Sequence, residues 1–123
     1  MAPPVSLLSV ACASPPHEIL QDQVAAAARQ LFEPQFPAFE RMAKVFDTAG
    51  IRARQVVRPI EWYFEPRGWR ERSEAYAEAA GELYAAAAQR ALDEAGLKAE
   101  QVDVLVTVSS TGVATPSLEA RAM

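Results

Sequence analysis

The sequence contains only one cysteine and one histidine among its 123 residues, and these two counts exclude several kinds of site. A single cysteine cannot form a disulfide within the chain, which suits a reducing cytoplasm. One cysteine and one histidine are also too few for a histidine metal cluster or a cysteine–histidine zinc site. The two counts exclude these metal sites only, and we separately expect no cofactor.

Long apolar runs are also lacking. No stretch approaches the roughly 20 residues needed to cross a bilayer, and residues 1–5 lack the basic flank and apolar core of a secretory signal. With 50% hydrophobic and 23% charged residues, the composition is that of a globular protein. These features predict a cytoplasmic protein without membrane insertion, and its length corresponds to no more than one domain.

The net charge of −4 is unevenly distributed along the chain. Between Arg41 and Arg72 lie eight basic and four acidic residues, so this window has a net charge of +4. A locally basic strip on an acidic chain favours a small polyanion, such as a nucleotide phosphate, over a nucleic-acid partner. The alternative is a solvated face with scattered ion pairs.

Apolar spacing in the first half predicts strands and helices in alternation. Residues 5–11 form a compact apolar run that is typical of a buried strand. Residues 17–32 have the three- and four-residue spacing of an amphipathic helix. A short helix ending at Gly50 follows, and its apolar face comprises Phe39, Met42, Ala43 and Phe46. Residues 51–58 are predicted to be a half-exposed strand.

The second half predicts an aromatic loop at residues 59–69 and a long helix at 70–95 that is closed by Gly96. Residues 102–109 form a strand that is apolar on both faces, so it should be central and covered on both sides. Thr115, which precedes a proline, is a predicted N-cap of another helix. The order describes an α/β layered fold that is part of one larger domain.

No set of residues in the chain forms a recognisable catalytic site. Cys12 precedes His17 by five residues, but we expect Cys12 to be a small buried thiol at a strand end and not a nucleophile. The carboxylates form no convincing acid–base pair. The phosphate-binding loop lacks its lysine and glycine spacing, and there is no Gly-x-Ser-x-Gly elbow. We therefore assign no catalytic residue to this chain.

Several segments resemble the type III polyketide synthases, which are the chalcone and stilbene synthase family. Residues 9–16 (SVACASPP), 46–54 (FDTAGIRAR) and 75–96 are similar to its first strand, a helix-to-strand junction and its long helix. The most specific block is 106–120 (VTVSSTGVATPSLEA). Residues 57–63 (VRPIEWY) look more like bacterial members that make alkylpyrones or alkylresorcinols.

The resemblance implies a homodimer with a thiolase-like fold, of which this chain is the N-terminal part of an αβαβα architecture. The implied reaction is an acyl transfer that condenses malonyl-CoA onto an acyl-CoA starter, without metal or acyl carrier protein. It implies that residues 1–123 end before the family's catalytic cysteine, histidine and asparagine, and that Cys12 is not that cysteine. The chain alone is then expected to be inactive.

The resemblance also implies binding residues. Arg41 and Lys44 match basic residues at the mouth of the CoA tunnel, whereas Thr48 replaces a third basic residue. The alternative is that Arg41 and Lys44 are only two charges on the outer face of a short helix.

Two further positions concern the acyl pocket. Ser110 matches a threonine position that tunes chain length and cyclisation, and Thr115 matches a residue that closes the partner's cavity across the dimer. Small side chains at both positions would suit a long acyl starter. The alternative is that residues 109–112 form only a tight turn.

Two other functions remain open from the sequence. One is a carrier-protein-dependent ketoacyl synthase of the same fold, and the other is a non-catalytic remnant that binds acyl-CoA or a partner.

Overall fold

The computed structural model describes residues 4–122. In chain order the regular elements are β1 (His17–Leu20), α1 (Gln21–Phe32), α2 (Phe39–Thr48), β2 (Ala53–Val56), α3 (Trp69–Ala95) and α4 (Leu118–Ala122). Two 3-10 helices, Ile60–Phe64 and Ala99–Gln101, precede and follow α3. The chain divides into two compact units, one formed by residues 15–67 and the other by residues 4–14 and 68–122.

The sheet of the first unit consists of β1 and β2, which pair antiparallel from His17–Val56 to Leu20–Ala53. The strand predicted at 51–58 is therefore confirmed in its centre. The helix predicted at 17–32 begins only at Gln21, and the prediction for residues 17–20 is wrong. Residues 17–20 pair with β2, and the Gln21 N–H donates to the Arg52 carbonyl oxygen at 2.9 Å, so the backbone follows the strand until Gln21.

The core of the first unit lies between α1 and α2. Phe39 and Ala43 are 7% and 2% exposed, and Ala28 of α1 and the half-buried Phe46 pack against them. The predicted apolar face of α2 is thus confirmed at three of its positions. Met42 is the exception, since it is 65% exposed at the edge of this face.

Helix α3 dominates the second unit and confirms the helix predicted at 70–95 within one residue. It ends at Gly96, which has the left-handed φ of 67° that glycine adopts without steric cost. Ala75 and Ala79 are its most buried residues, and α4 packs against the helix. Small alanine side chains allow that close approach. No helix among residues 4–122 is both long and apolar enough to span a membrane.

The strands predicted at 5–11 and 102–109 are not present as strands in the described chain. Their apolar side chains lie on the surface, with Val5 99% exposed and Val108 91% exposed. A strand needs a neighbour to accept and donate its backbone hydrogen bonds. Among residues 4–122 neither segment has one, because the only sheet there is the β1–β2 pair.

The helix predicted to begin after Thr115 begins at Leu118 instead. The guanidinium of Arg121 donates hydrogen bonds to the carbonyl oxygens of Pro116 at 3.0 Å and Thr115 at 3.4 Å. These residues therefore form a turn that folds back onto α4, and Thr115 is not its N-cap.

Candidate substrate-binding residues

Arg41 and Lys44 lie on the exposed side of α2. At 3.6 residues per turn, both side chains project away from the face that carries Phe39 and Ala43. Packing of that apolar face therefore determines the direction of the two cations. Within residues 4–122, no carboxylate forms an ion pair with either of them. The pair can thus attract an anion without first breaking an internal salt bridge.

Thr48 lies one turn beyond Lys44 on the same side of α2. Its hydroxyl donates a hydrogen bond to the carbonyl oxygen of Lys44 at 3.1 Å. This is a local side-chain-to-backbone bond of the kind that threonine often makes in helices. The third position of the predicted basic set therefore contributes no charge.

Ser110 belongs to a turn at residues 109–112 that is held by α3. The Tyr76 hydroxyl donates a hydrogen bond to Ser109 Oγ at 2.6 Å, and Thr111 N–H donates to the same oxygen at 3.4 Å. The Tyr76 ring lies over Gly112, where an added Cβ would be 2.6 Å from ring atom Cγ. Ser110 is exposed between these two points of attachment.

Thr115 lies on the wall of a groove between α3 and the segment that leads to α4. The groove has a volume of about 360 Å³ and is lined by Ser73, Glu74, Ala77, Glu78, Val113, Ala114, Thr115 and Arg121. At its edge, Glu74 accepts a hydrogen bond from Arg70 at 2.8 Å, and this bond raises the pKa of Arg70. Ser110 is not among the residues that line this groove.

Glu119, in the first turn of α4, has a pKa below its ordinary value. The main cause is a hydrogen bond from its own backbone N–H, and the hydroxyls of Ser117 and Thr107 contribute further. The Thr107 hydroxyl is the smallest of these three causes, and its buried Oγ1 has no hydrogen-bond partner of ordinary geometry within residues 4–122. A carboxylate at a helix N-terminus also interacts favourably with the helix dipole.

Cys12 is exposed, which contradicts the expectation of a buried thiol. Its carbonyl oxygen accepts a hydrogen bond from Arg90 at 2.8 Å, so the guanidinium holds the backbone at this point. His17 is the first residue of β1 rather than a helix or loop residue. No group of three or more histidine, cysteine, aspartate or glutamate side chains among residues 4–122 could hold a metal ion.

Tyr76 is the residue that sequence reasoning missed. The sequence placed it in the helix predicted at 70–95 and gave it no further role. The available signal was its hydroxyl, since a tyrosine that is partly buried usually finds a hydrogen-bond partner for that group. The partner, Ser109, lies 33 residues away in the chain, and only the fold brings the two together.

Comparison with known proteins places this geometry in a family. The chain is 34% identical over 122 residues to a Bacillus subtilis protein provisionally named chalcone synthase, which covers 95% of this chain. It is 37% identical over 108 residues to 1,3,6,8-tetrahydroxynaphthalene synthase of Streptomyces coelicolor, and 28% identical over 106 residues to phloroglucinol synthase of Pseudomonas fluorescens. No family model matches the chain.

The solved structures include a close match to the fold. The crystal structure of the Streptomyces coelicolor tetrahydroxynaphthalene synthase, a bacterial type III polyketide synthase, superposes with a TM-score of 0.80 at 32% identity over 92% of this chain. The chain belongs to the type III polyketide synthase family. Its fold is accordingly part of the thiolase-like fold, which confirms the predicted α/β class.

The type III polyketide synthase relatives are much longer than this chain. The chain spans 33% of the Bacillus subtilis protein, 28% of the Streptomyces coelicolor synthase and 33% of the superposed crystal chain. It therefore corresponds to about one third of a synthase of this family.

Proposed function

We propose that residues 1–123 form the N-terminal part of a chalcone/stilbene synthase-like domain and that the complete enzyme makes polyketides from CoA thioesters. The observation that carries the proposal is the match to tetrahydroxynaphthalene synthase in both sequence and structure over most of this chain. Relatives about three times as long, together with the exposed apolar segments at 5–10 and 102–108, support a chain that is part of a larger domain.

The proposed reaction condenses malonyl-CoA with an acyl-CoA starter. The starter acyl group passes from CoA to an enzyme thiolate and releases CoA. Loss of CO₂ from malonyl-CoA then leaves a carbon nucleophile, which attacks the acyl thioester and frees the thiolate. The cysteine, histidine and asparagine for these steps are proposed to lie beyond Met123, so this chain contributes binding surfaces and no catalytic residue.

Arg41 and Lys44 are the proposed contacts for the CoA phosphates. Both are exposed cations on one side of α2, and within residues 4–122 neither is neutralised by an ion pair. Ser110 and Thr115 are the proposed residues of the acyl pocket. Their small side chains, on a turn and on a groove wall, are compatible with a long acyl starter. We also propose a cytoplasmic homodimer in which Thr115 approaches the partner's cavity.

The test is turnover by the longer enzyme and by the 123-residue chain, each incubated with malonyl-CoA and a series of fatty acyl-CoA starters. We expect CoA release and pyrone or resorcinol products from the longer enzyme, with neither from the chain alone. Reactions without malonyl-CoA provide the control for simple thioester hydrolysis. Product formation by the chain alone would refute its proposed role as a part of the enzyme.

The same assay separates the two alternative functions. Activity that requires an acyl carrier protein would indicate a ketoacyl synthase. An acyl-CoA complex without turnover, in a protein that ends at residue 123 in the cell, would indicate a binding remnant. The names of the relatives favour neither alternative.

A further inference from the structure

Tyr76 and the turn at residues 109–112 form two contacts of different kinds. One is polar, the 2.6 Å hydrogen bond from the Tyr76 hydroxyl to Ser109 Oγ. The other is steric, because the Tyr76 ring occupies the space in which a side chain at residue 112 would lie. Since residue 112 is glycine, the backbone of the turn comes directly against the ring.

The two contacts lie on either side of Ser110 in the sequence. Ser109 is attached through its side chain and Gly112 through its backbone, so the two residues between them have little freedom to change direction. The additional bond from Thr111 N–H to Ser109 Oγ closes the turn on itself. The orientation of Ser110 therefore depends on α3 through a single aromatic side chain.

We propose that Tyr76 is a positioning residue that sets the specificity of the polyketide synthase by holding the 109–112 turn. The proposal rests on the proposed function and on the role of Ser110 in the acyl pocket. Tyr76 does not touch the substrate. It fixes the position of the Ser110 backbone in the wall of the acyl pocket. The length of the pocket then limits how many malonyl units are added before the product is released.

The simplest test is Tyr76→Phe in the longer enzyme, because it removes the hydroxyl and keeps the ring over Gly112. We expect the ratio of the main product to its neighbours in chain length to change by about fivefold, which corresponds to the roughly 1 kcal/mol typical of one hydrogen bond. The measurement is the product distribution by mass spectrometry at saturating acyl-CoA. Total CoA release should change much less than the product ratio.

A double-mutant cycle with Ser109→Ala shows whether the effect passes through this bond. Ser109→Ala removes this bond and also the acceptor of the Thr111 N–H, so it should change the distribution at least as much as Tyr76→Phe does, but adding Tyr76→Phe to Ser109→Ala should change it no further. Additive changes would show that the two side chains act separately and would overturn the proposal.

Tyr84→Phe is the matched control. Tyr84 lies two turns further along α3, is also half-buried, and makes no hydrogen bond through its hydroxyl to residues 4–122. We expect the product distribution of wild type from Tyr84→Phe. If Tyr76→Phe also leaves the distribution unchanged in an active enzyme, the positioning role is wrong. If the wild-type enzyme makes no polyketide at all, the proposed function fails instead.

Discussion

Two glycines, Gly50 and Gly96, have the same left-handed φ of 67°, and each follows the end of a helix. Other L-residues pay a steric cost at this φ because Cβ approaches the backbone carbonyl oxygen. Gly81 differs from both, since it lies inside α3 with ordinary helical backbone. No atom lies within 4 Å of a Cβ added at Gly81 or at Gly96, so crowding does not distinguish the two sites.

The same substitution should therefore have opposite effects at Gly96 and at Gly81. We expect Gly96→Ala to lower the free energy of unfolding by about 1–2 kcal/mol, because of the left-handed backbone. Gly81→Ala should raise it by about 0.5–1 kcal/mol, since alanine restricts the unfolded chain and favours helix. Urea denaturation followed by circular dichroism measures both. Equal shifts of one sign would contradict this account of α3.

The positive charges of Arg41 and Lys44 are predicted to strengthen the binding of CoA substrates. In the longer enzyme, Arg41→Ala and Lys44→Ala should each raise KM for malonyl-CoA by about two- to fivefold, the range expected for an exposed ion pair with phosphate. The kcat should change little, and the effect on KM should shrink as salt is added.

Lys98→Ala is the control for this pair, because Lys98 is also an exposed cation but lies in the other compact unit. It should leave KM unchanged. If Arg41→Ala and Lys44→Ala behave like Lys98→Ala at low ionic strength, the two residues do not bind CoA.

At the scale of elements, Gln21 links three parts of the first unit. Its backbone N–H donates to the Arg52 carbonyl oxygen at 2.9 Å, and its side-chain Nε2 donates to the Phe46 carbonyl oxygen at 3.2 Å. Its Oε1 accepts from Arg54 Nε at 3.1 Å. Gln21 is 8% exposed, so these bonds replace those that water would make. It therefore ties the start of α1 to α2 and β2.

Gln21→Leu should destabilise the protein by about 1–3 kcal/mol. The leucine has a similar volume, but the Phe46 carbonyl and the Arg54 guanidinium lose a hydrogen-bond partner at a partly buried position. Gln35→Leu is the comparison, because Gln35 is exposed and its side chain donates a local 3.4 Å bond to the Leu31 carbonyl oxygen. It should change the unfolding free energy by less than about 0.5 kcal/mol. Equal effects in urea denaturation would show that the Gln21 network does not stabilise this unit.

At the scale of the whole molecule, the two apolar segments at 5–10 and 102–108 are the unusual feature. Val104, Val106 and Val108 are 75%, 81% and 91% exposed, and Val5 and Leu7 are 99% and 83% exposed. Segments this apolar are rarely left on a surface without a partner. The proposed remainder of the domain would cover them and supply the missing strand neighbours.

Hydrogen exchange tests this prediction directly. In the 123-residue chain, the amides of 102–108 should exchange nearly as fast as those of an unstructured peptide, apart from Val102, whose N–H donates to the Ala99 carbonyl oxygen at 3.1 Å; no other backbone group among residues 4–122 pairs with them. In the longer enzyme the same amides should be strongly protected. The amides of α3 serve as the reference, because their helical bonds are present in both. Protection of 102–108 equal to that of α3 in the short chain would rule out the proposed completion by further sequence.

The sequence alone determined the features that depend on local chemistry. Helix α3 was predictable because the two signals for it, the spacing of its alanines and its terminal glycine, depend only on residues close together in the sequence. The apolar face of α2 and the strand at 53–56 were predictable for the same reason. The resemblance to the polyketide synthases rests on the block at 106–120, whose order of small residues is specific without any knowledge of packing.

Tertiary structure alone decided the features that depend on distant partners. Residues 17–20 form a strand because their backbone pairs with β2, although the spacing of their own apolar side chains favoured a helix. Residues 102–109 are as apolar as a central strand but form none among residues 4–122, since strand pairing requires a neighbour. The contact between Tyr76 and Ser109 likewise joins residues far apart in the chain. A single hydrogen bond of this kind produces no repeating pattern of residue types from which it could be predicted.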